Sequence, residues 1–275
     1  MQVVILCGGK GTRAYPYTRE VPKALMEIDG VAIVEQVMRI YAAQGYREFI
    51  LSCGYLKKAI IDNFARPRAD WSVTCVDTGE DADTGERIWN LRHLLGPTFQ
   101  ATYCDGLGDV DLAALLKSHR SHGALASVTA VPLRSQYGII HPDGNGRVAG
   151  FEEKPVLSEY WINGGFFVFE RQVFDFWRGR NLEKEVLPEL ARLSHLHMYR
   201  HRGFWRSMDT HKDQQELNDL WRPFSERLPS GIERSGTTRH DAAPHAVQTR
   251  GSKDMPPSPP QTEPRTPSRL EAGGS

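Results

Sequence analysis

Gln2-Val3-Val4-Ile5-Leu6-Cys7-Gly8-Gly9-Lys10-Gly11-Thr12-Arg13 is the stretch on which the fold turns. Its first half is an unbroken apolar run, as expected of a strand covered on both faces in a parallel sheet flanked by helices. Its second half places glycines directly after that strand, where backbone N–H groups can approach phosphate oxygens with no Cβ in the way. Lys10 and Arg13 add two cations suited to charge-assisted contacts. The run is not a P-loop, because no Gly-Lys-Ser/Thr follows at the required spacing. Nor is it a dinucleotide fingerprint, because Ala14 stands where the third glycine would be. A flexible turn is the competing reading of the bare glycines. Pro22-Lys23 follows, and it too reads two ways: a rigid proline aiming another cation, or a solvated surface lysine.

Working outward, strand-like and helix-like segments alternate. Residues 31–44 carry apolar residues at helical spacing and stop at Gly45. Strands are expected over 48–53, 73–77, 99–104 and 125–131, with helices over 55–64, 84–95 and 111–122 between them. Such alternation predicts an α/β fold with a mostly parallel, Rossmann-like open sheet. After Pro132 the pattern changes. Residues 137–141 and 147–152, separated by Asp143-Gly144, read as a β-hairpin. A strand over 165–169, a helix over 181–193, a short strand over 197–201 and a last helix over 210–221 complete the pattern. One domain is therefore expected over 1–222, in two parts, 1–131 and 132–222. Residues 223–275, increasingly rich in Pro, Ser, Thr and Gly, are expected to form a disordered tail, since they offer too little apolar surface to offset ordering entropy.

Composition narrows the partners. The 275 residues hold 34 basic and 34 acidic side chains, so no overall field draws nucleic acid, and an anionic ligand needs a local cluster of cations. The four cysteines (Cys7, Cys53, Cys75, Cys104) sit in or just after apolar runs without metal spacing, which predicts buried free thiols in a reducing compartment. No apolar run reaches membrane-spanning length, and a cytoplasmic location is expected.

Gly8-Gly9-Lys10-Gly11-Thr12-Arg13 with Pro22-Lys23 resembles the signature of the sugar-1-phosphate nucleotidylyltransferases. Cys53-Gly54-Tyr55, Val76-Asp77-Thr78-Gly79, residues 162–168 and Gly203-Phe204-Trp205 with Met208-Asp209-Thr210 extend the likeness over roughly 1–221, nearest to the glucose-1-phosphate cytidylyltransferases. The resemblance implies an open sheet of nucleotidyltransferase type with an inserted hairpin on the sugar side, residues 1–131 forming the nucleotide-binding part and residues 132–222 the sugar-phosphate-binding part. It further implies nucleotidyl transfer from a triphosphate, CTP foremost, to a sugar 1-phosphate, glucose 1-phosphate foremost, with release of pyrophosphate. UTP or dTTP with a modified sugar phosphate, or a non-catalytic regulatory relative, are the alternatives.

Residue by residue, the resemblance implies that Leu6, Gly8, Gly9, Lys10, Gly11, Thr12, Arg13, Lys23, Thr84, Arg87 and Cys104 hold the nucleotide. Arg13, Lys23 and Asp105 would be catalytic, and Gly138, Glu153, Lys154, Asn163 and Gly164 would bind the sugar phosphate. Asp105 and Asp209 would bind Mg²⁺, a hard ion that takes one or two carboxylates plus substrate phosphates. As bare sequence, Asp105 and Asp209 also read as helix caps, Asp109 as a cap for the helix over 111–122, Glu153-Lys154 as exposed loop and Arg87 as an exposed helical arginine. Thr84-Gly85-Glu86-Arg87 departs from the family's Thr-Gly-Gly-Arg, placing a negative charge near the expected phosphates. Cys104 stands where the family has glycine. A homo-oligomer is the family's habit and is expected here.

Overall fold

The computed structural model describes residues 1–66 and 70–228; the expected tail from 229 to 275 lies outside the described residues. The first half of the chain runs β1 (Gln2–Leu6), β2 (Glu27–Ile28), β3 (Val31–Ala32), α1 (Ile33–Ala43), β4 (Glu48–Cys53), α2 (Lys57–Asn63), β5 (Ser72–Asp77), α3 (Thr84–Leu91), β6 (Thr98–Tyr103), β7 (Gly106–Gly108) and α4 (Leu112–His122). The second half runs β8 (Ala126–Arg134), β9 (Ile139–Pro142), β10 (Val148–Glu152), β11 (Val156–Asn163), β12 (Phe167–Glu170), α5 (Leu187–Arg192), β13 (Leu196–Arg200), β14 (Trp205–Ser207) and α6 (His211–Ser225).

The central sheet has the order β11-β8-β12-β6-β1-β4-β5, with β13 also paired to β8. From β6 to β5 every pairing is parallel, and β1 lies between β4 and β6. The unbroken apolar run of β1 has the predicted cause. Val3, Ile5 and Cys7 enter one core, while Val4 and Leu6 enter the other, so both faces are covered. The chain leaves β1 for β4 and β5 on one side and returns to β6 on the other. That reversal opens a crevice beyond the carboxyl ends of β1 and β6, where open α/β sheets bind their ligands.

Three departures have physical reasons. The strand β11 escaped the pattern because Ser158 and Glu159 interrupt its apolar residues, and its register on β8 shifts between Leu157 and Trp161. The helix expected over 181–193 is a π-helical turn, Leu182–Val186, followed by α5. Pro188 supplies no N–H, so the regular ladder begins only around it. The last helix runs past Pro223 to Ser225, inside the stretch expected to be tail. Trp221 and Phe224 stack there at 5.3 Å, and the Ser225 hydroxyl donates to Asp29 Oδ2 at 2.6 Å. This docking holds the last turn despite the missing donor.

Candidate active site

The glycine loop leaves β1 and is braced from below. Arg87, on α3, is buried and donates to the carbonyl oxygens of Gly8 and Gly79 and to the Thr78 hydroxyl, each at 2.9 Å. Further bonds reach Glu80 O at 3.2 Å and Cys53 O at 3.4 Å. A Cβ on Gly8 would stand 2.0 Å from the Arg87 guanidinium, so a larger residue there would displace Arg87 from its bonds. Arg87 therefore corrects one of the two sequence readings: it is not an exposed helical arginine. It ties the ends of β1, β4 and β5 together. Burial pulls its pKa below the ordinary arginine value. Glu86 points elsewhere, held by Arg180 at 2.5 Å, so its charge is matched before any phosphate arrives.

A cleft of about 680 Å³ opens over this loop. Leu6, Gly8, Gly9, Gly11, Thr12 and Arg13 form its floor, and Thr84, Arg87 and Cys104 its neighbouring wall. Lys10 is not in the wall. Its ammonium pairs with Asp81 at 3.0 Å and lies 3.8 Å from Glu80. Gly11 takes a left-handed conformation (φ 60°) that packs it on Thr18 and on the stem of Lys23.

Lys23 is the centre of charge. Its ammonium lies 2.5 Å from Asp105 Oδ2 and 3.0 Å from Asp209 Oδ1, and Arg13 reaches the same Asp209 oxygen at 3.0 Å. Burial works against the Lys23 charge, yet Asp105 and Asp209 outweigh it and raise its pKa above the ordinary lysine value. Two short strands absent from the sequence reading bring these distant carboxylates together. β7, directly after Asp105, pairs antiparallel with β14, and Met208 N donates to Asp105 O at 2.9 Å. The capping alternatives fall away. Thr210 caps α6 in a box with Asp213, and Asp111 caps α4. Asp109, expected to cap α4, instead faces His201 at 3.0 Å.

The donor set fits a hard divalent ion. Two carboxylates from separate segments already converge on one cation, beside a loop shaped for phosphate. Among the described residues no cluster of three or more potential ligands occurs. A divalent ion held by these two carboxylates would take its other ligands from water and substrate oxygens, as Mg²⁺ commonly does.

The opposite wall differs. Asn163 and Gly164, at the end of β11, line the cleft. Asn163 Nδ2 donates to the Tyr103 hydroxyl at 2.9 Å, which donates to Glu183 Oε1 at 2.5 Å; the Thr84 hydroxyl donates to Glu183 Oε2 at 2.6 Å. Burial, then the Glu183 carboxylate, push the Tyr103 phenol well above its usual range. Glu183 was missed by the sequence reading; it sits in the π-helical turn, read there as ordinary helix. Gly138, Glu153 and Lys154, by contrast, are not in the cleft wall. Glu153 and Lys154 lie at the exposed end of β10, 3.9 Å from one another, and Gly138 packs against Phe151 of its own hairpin.

A glycine loop at the switch point of an open α/β sheet, faced by a carboxylate pair, suits an enzyme that acts on phosphate esters. Residues 2–220 match the family model described as nucleotidyl transferase, and the chain belongs to that family, among its sugar-1-phosphate nucleotidylyltransferases. It is 37% identical over 247 residues to a Bacillus subtilis (strain 168) protein described as a probable glucose-1-phosphate cytidylyltransferase, covering 80% of this chain and 96% of the relative. The glucose-1-phosphate cytidylyltransferase of Salmonella typhi is 34% identical with the same coverage. Among solved structures, HddC from Yersinia pseudotuberculosis superposes with a TM-score of 0.63 at 21% identity, over 80% of this chain and 99% of that one. Among the described residues no helix is long and apolar enough to cross a membrane.

Proposed function

We propose that this chain joins CTP to glucose 1-phosphate, releasing pyrophosphate, with Mg²⁺ held by Asp105 and Asp209. The observation that carries the reaction is the meeting of both carboxylates on Lys23 within 3.0 Å, beside the glycine loop. The choice of nucleotide and sugar rests on the likeness to cytidylyltransferases, which extends over 96% of their length.

In this reading an oxygen of the sugar 1-phosphate attacks the α-phosphorus of the triphosphate. One P–O bond forms there as the bond to the departing pyrophosphate breaks. A phosphate monoester dianion is already nucleophilic, so no protein nucleophile is required and catalysis rests on positioning and charge. The glycine-loop amides receive the phosphates, and Arg13 and Lys23 balance their charge. Asn163 and Glu183 take sugar hydroxyls, while Lys154, outside the cleft wall, is assigned to the sugar's phosphate on the family resemblance alone. Mg²⁺, when bound, neutralises phosphate charge and polarises the reacting centre.

Pyrophosphate release measured with glucose 1-phosphate against CTP, UTP, dTTP, GTP and ATP tests the assignment. CTP is expected to give the highest kcat/KM. A preference for another triphosphate would overturn the nucleotide and leave the reaction; silence with every triphosphate and sugar phosphate would overturn the reaction.

A further inference from the structure

Three cations on or beside the glycine loop are all engaged by acids: Lys10 by Asp81, Arg13 by Asp209, and Lys23 by both Asp105 and Asp209. Lys23 stands apart from the other two. Its side chain is 11% exposed, whereas that of Arg13 is 74% exposed and that of Lys10 is 50% exposed. Its ammonium lies between the same two carboxylate oxygens that would ligate a metal. Two unit charges a few ångströms apart repel by several kcal/mol near a protein surface, and a dication doubles that. Lysine and metal therefore cannot share the pair without penalty. The local charge says the same: Lys23 and Arg13 balance Asp105 and Asp209, so this cluster offers an incoming metal ion no net negative charge.

We propose that Lys23 is an internal counter-ion occupying the metal position between Asp105 and Asp209, and that a triphosphate, by drawing its ammonium away, makes the pair available to a divalent cation. This rests on the metal assignment above and adds an order to it. The geometry provides the route. The Lys23 stem packs against Gly11, so phosphates lying over the glycine loop are the next acceptors for an ammonium on a flexible four-carbon arm. Metal and triphosphate then assist one another by the same factor, as linkage requires, through a single side chain that both displace.

The test uses the full chain, Mn²⁺ as probe and no sugar phosphate. Free Mn²⁺ is followed by electron paramagnetic resonance, and CTP binding in EDTA by calorimetry. Lys23→Met is expected to bind Mn²⁺ alone about tenfold more tightly than wild type, and metal-free CTP about tenfold more weakly, a factor of ten being about 1.4 kcal/mol. A lysine that merely supported the fold would move both in the same direction. Lys23→Arg keeps the cation and should bind Mn²⁺ alone as weakly as wild type; it also serves if Lys23→Met melts too low to study. Adding Asp105→Asn to Lys23→Met should abolish the gained Mn²⁺ site. Equal Mn²⁺ affinity in wild type and Lys23→Met would overturn the counter-ion role. If Asp105→Asn in wild type removed that shared affinity, the metal assignment would stand while this inference fell. Mn²⁺ binding indifferent to Asp105→Asn in every variant would sink both.

Discussion

The parallel half of the sheet, β5-β4-β1-β6, and the mixed half, β12, β8, β11 and β13 with the β9–β10 hairpin, meet the cleft in different ways. In the parallel half the strands are buried on both faces, and the loops at their carboxyl ends are braced by Arg87 and by the Lys23 ion pairs. In the mixed half much of the polypeptide near the cleft buries little. Ile140, Phe151 and Tyr160 are 56%, 62% and 64% exposed, and the hairpin pairs only with itself among the described residues. A two-stranded hairpin contributes little stability by itself. On the proposed reading the contrast separates two tasks: nucleotidyl transfer on the braced edge, and sugar binding on elements whose residues can change at small cost to folding.

The largest effect should come from the braced edge. Asp105→Asn and Asp209→Asn are each expected to lower kcat for pyrophosphate release by roughly a hundredfold or more, by analogy with loss of one preorganised charge contact elsewhere. Melting temperatures should change little, because both carboxylates are partly exposed and the mostly buried Lys23 keeps one of them when the other is neutralised. An Asp209→Asn enzyme turning over at the wild-type rate would erase the distinction between the halves. On the other side, Glu183→Gln and Lys154→Ala should each raise KM for the sugar phosphate by about tenfold while leaving KM for the triphosphate unchanged, since loss of one charge-assisted hydrogen bond is worth about 1.5–3 kcal/mol. Initial rates over a grid of both substrates read this directly. Lys154→Ala sharpens the comparison most. An unchanged KM would mean that the hairpin, set outside the cleft wall here, stays away from the substrate.

Arg87→Met probes the bracing itself. It leaves the Gly8 and Gly79 carbonyls and the Thr78 hydroxyl without their donor, and unpaired buried groups cost about 1–3 kcal/mol. A fall in Tm of about 5 °C is expected for a domain of this size, with a smaller loss of kcat than at Asp105. Arg87 also shows where the sequence ran out. The buried β1 run, the glycines after it, and helices at 3.6 spacing were legible because each is a local pattern with a local cause. Glu86 next to Arg87 looked like an unwelcome charge because its partner, Arg180, lies 94 residues away. The convergence of Asp105 and Asp209 needed β7 and β14, three residues each, too short for any alternation to register. Glu183 was hidden by a π-helical turn that differs from the expected helix in hydrogen bonding more than in composition.

The smallest effect distinguishes the halves by pH. His119 on α4 is 1% exposed, with Nδ1 2.8 Å from Ser127 Oγ on β8 and Nε2 3.1 Å from Glu170 Oε1 at the end of β12. Burial lowers its pKa, opposed by Glu170 and aided by Arg120. His197 on β13 is lowered likewise, by burial and by His122, whose ring lies 3.4 Å away centroid to centroid. Both folded pKa values lie below the unfolded value near 6.5, so the unfolded chain takes up protons first as pH falls. The stabilising contribution is present above about pH 6.5 and is lost as pH falls from there through the folded values. His119 is buried and His197 half-buried where α4 and β13 pack on β8, and neither lines the cleft. Tm should therefore drop by a few degrees between pH 7.5 and 5.5, at about 2–4 °C per kcal/mol, and the drop should flatten in a His119→Asn/His197→Asn double variant. Hydrogen exchange over the same range should show β8 and β13 losing protection ahead of β1 and β4. Loss of protection in all four strands together would show that the two halves unfold as one cooperative unit and that their difference is confined to the cleft.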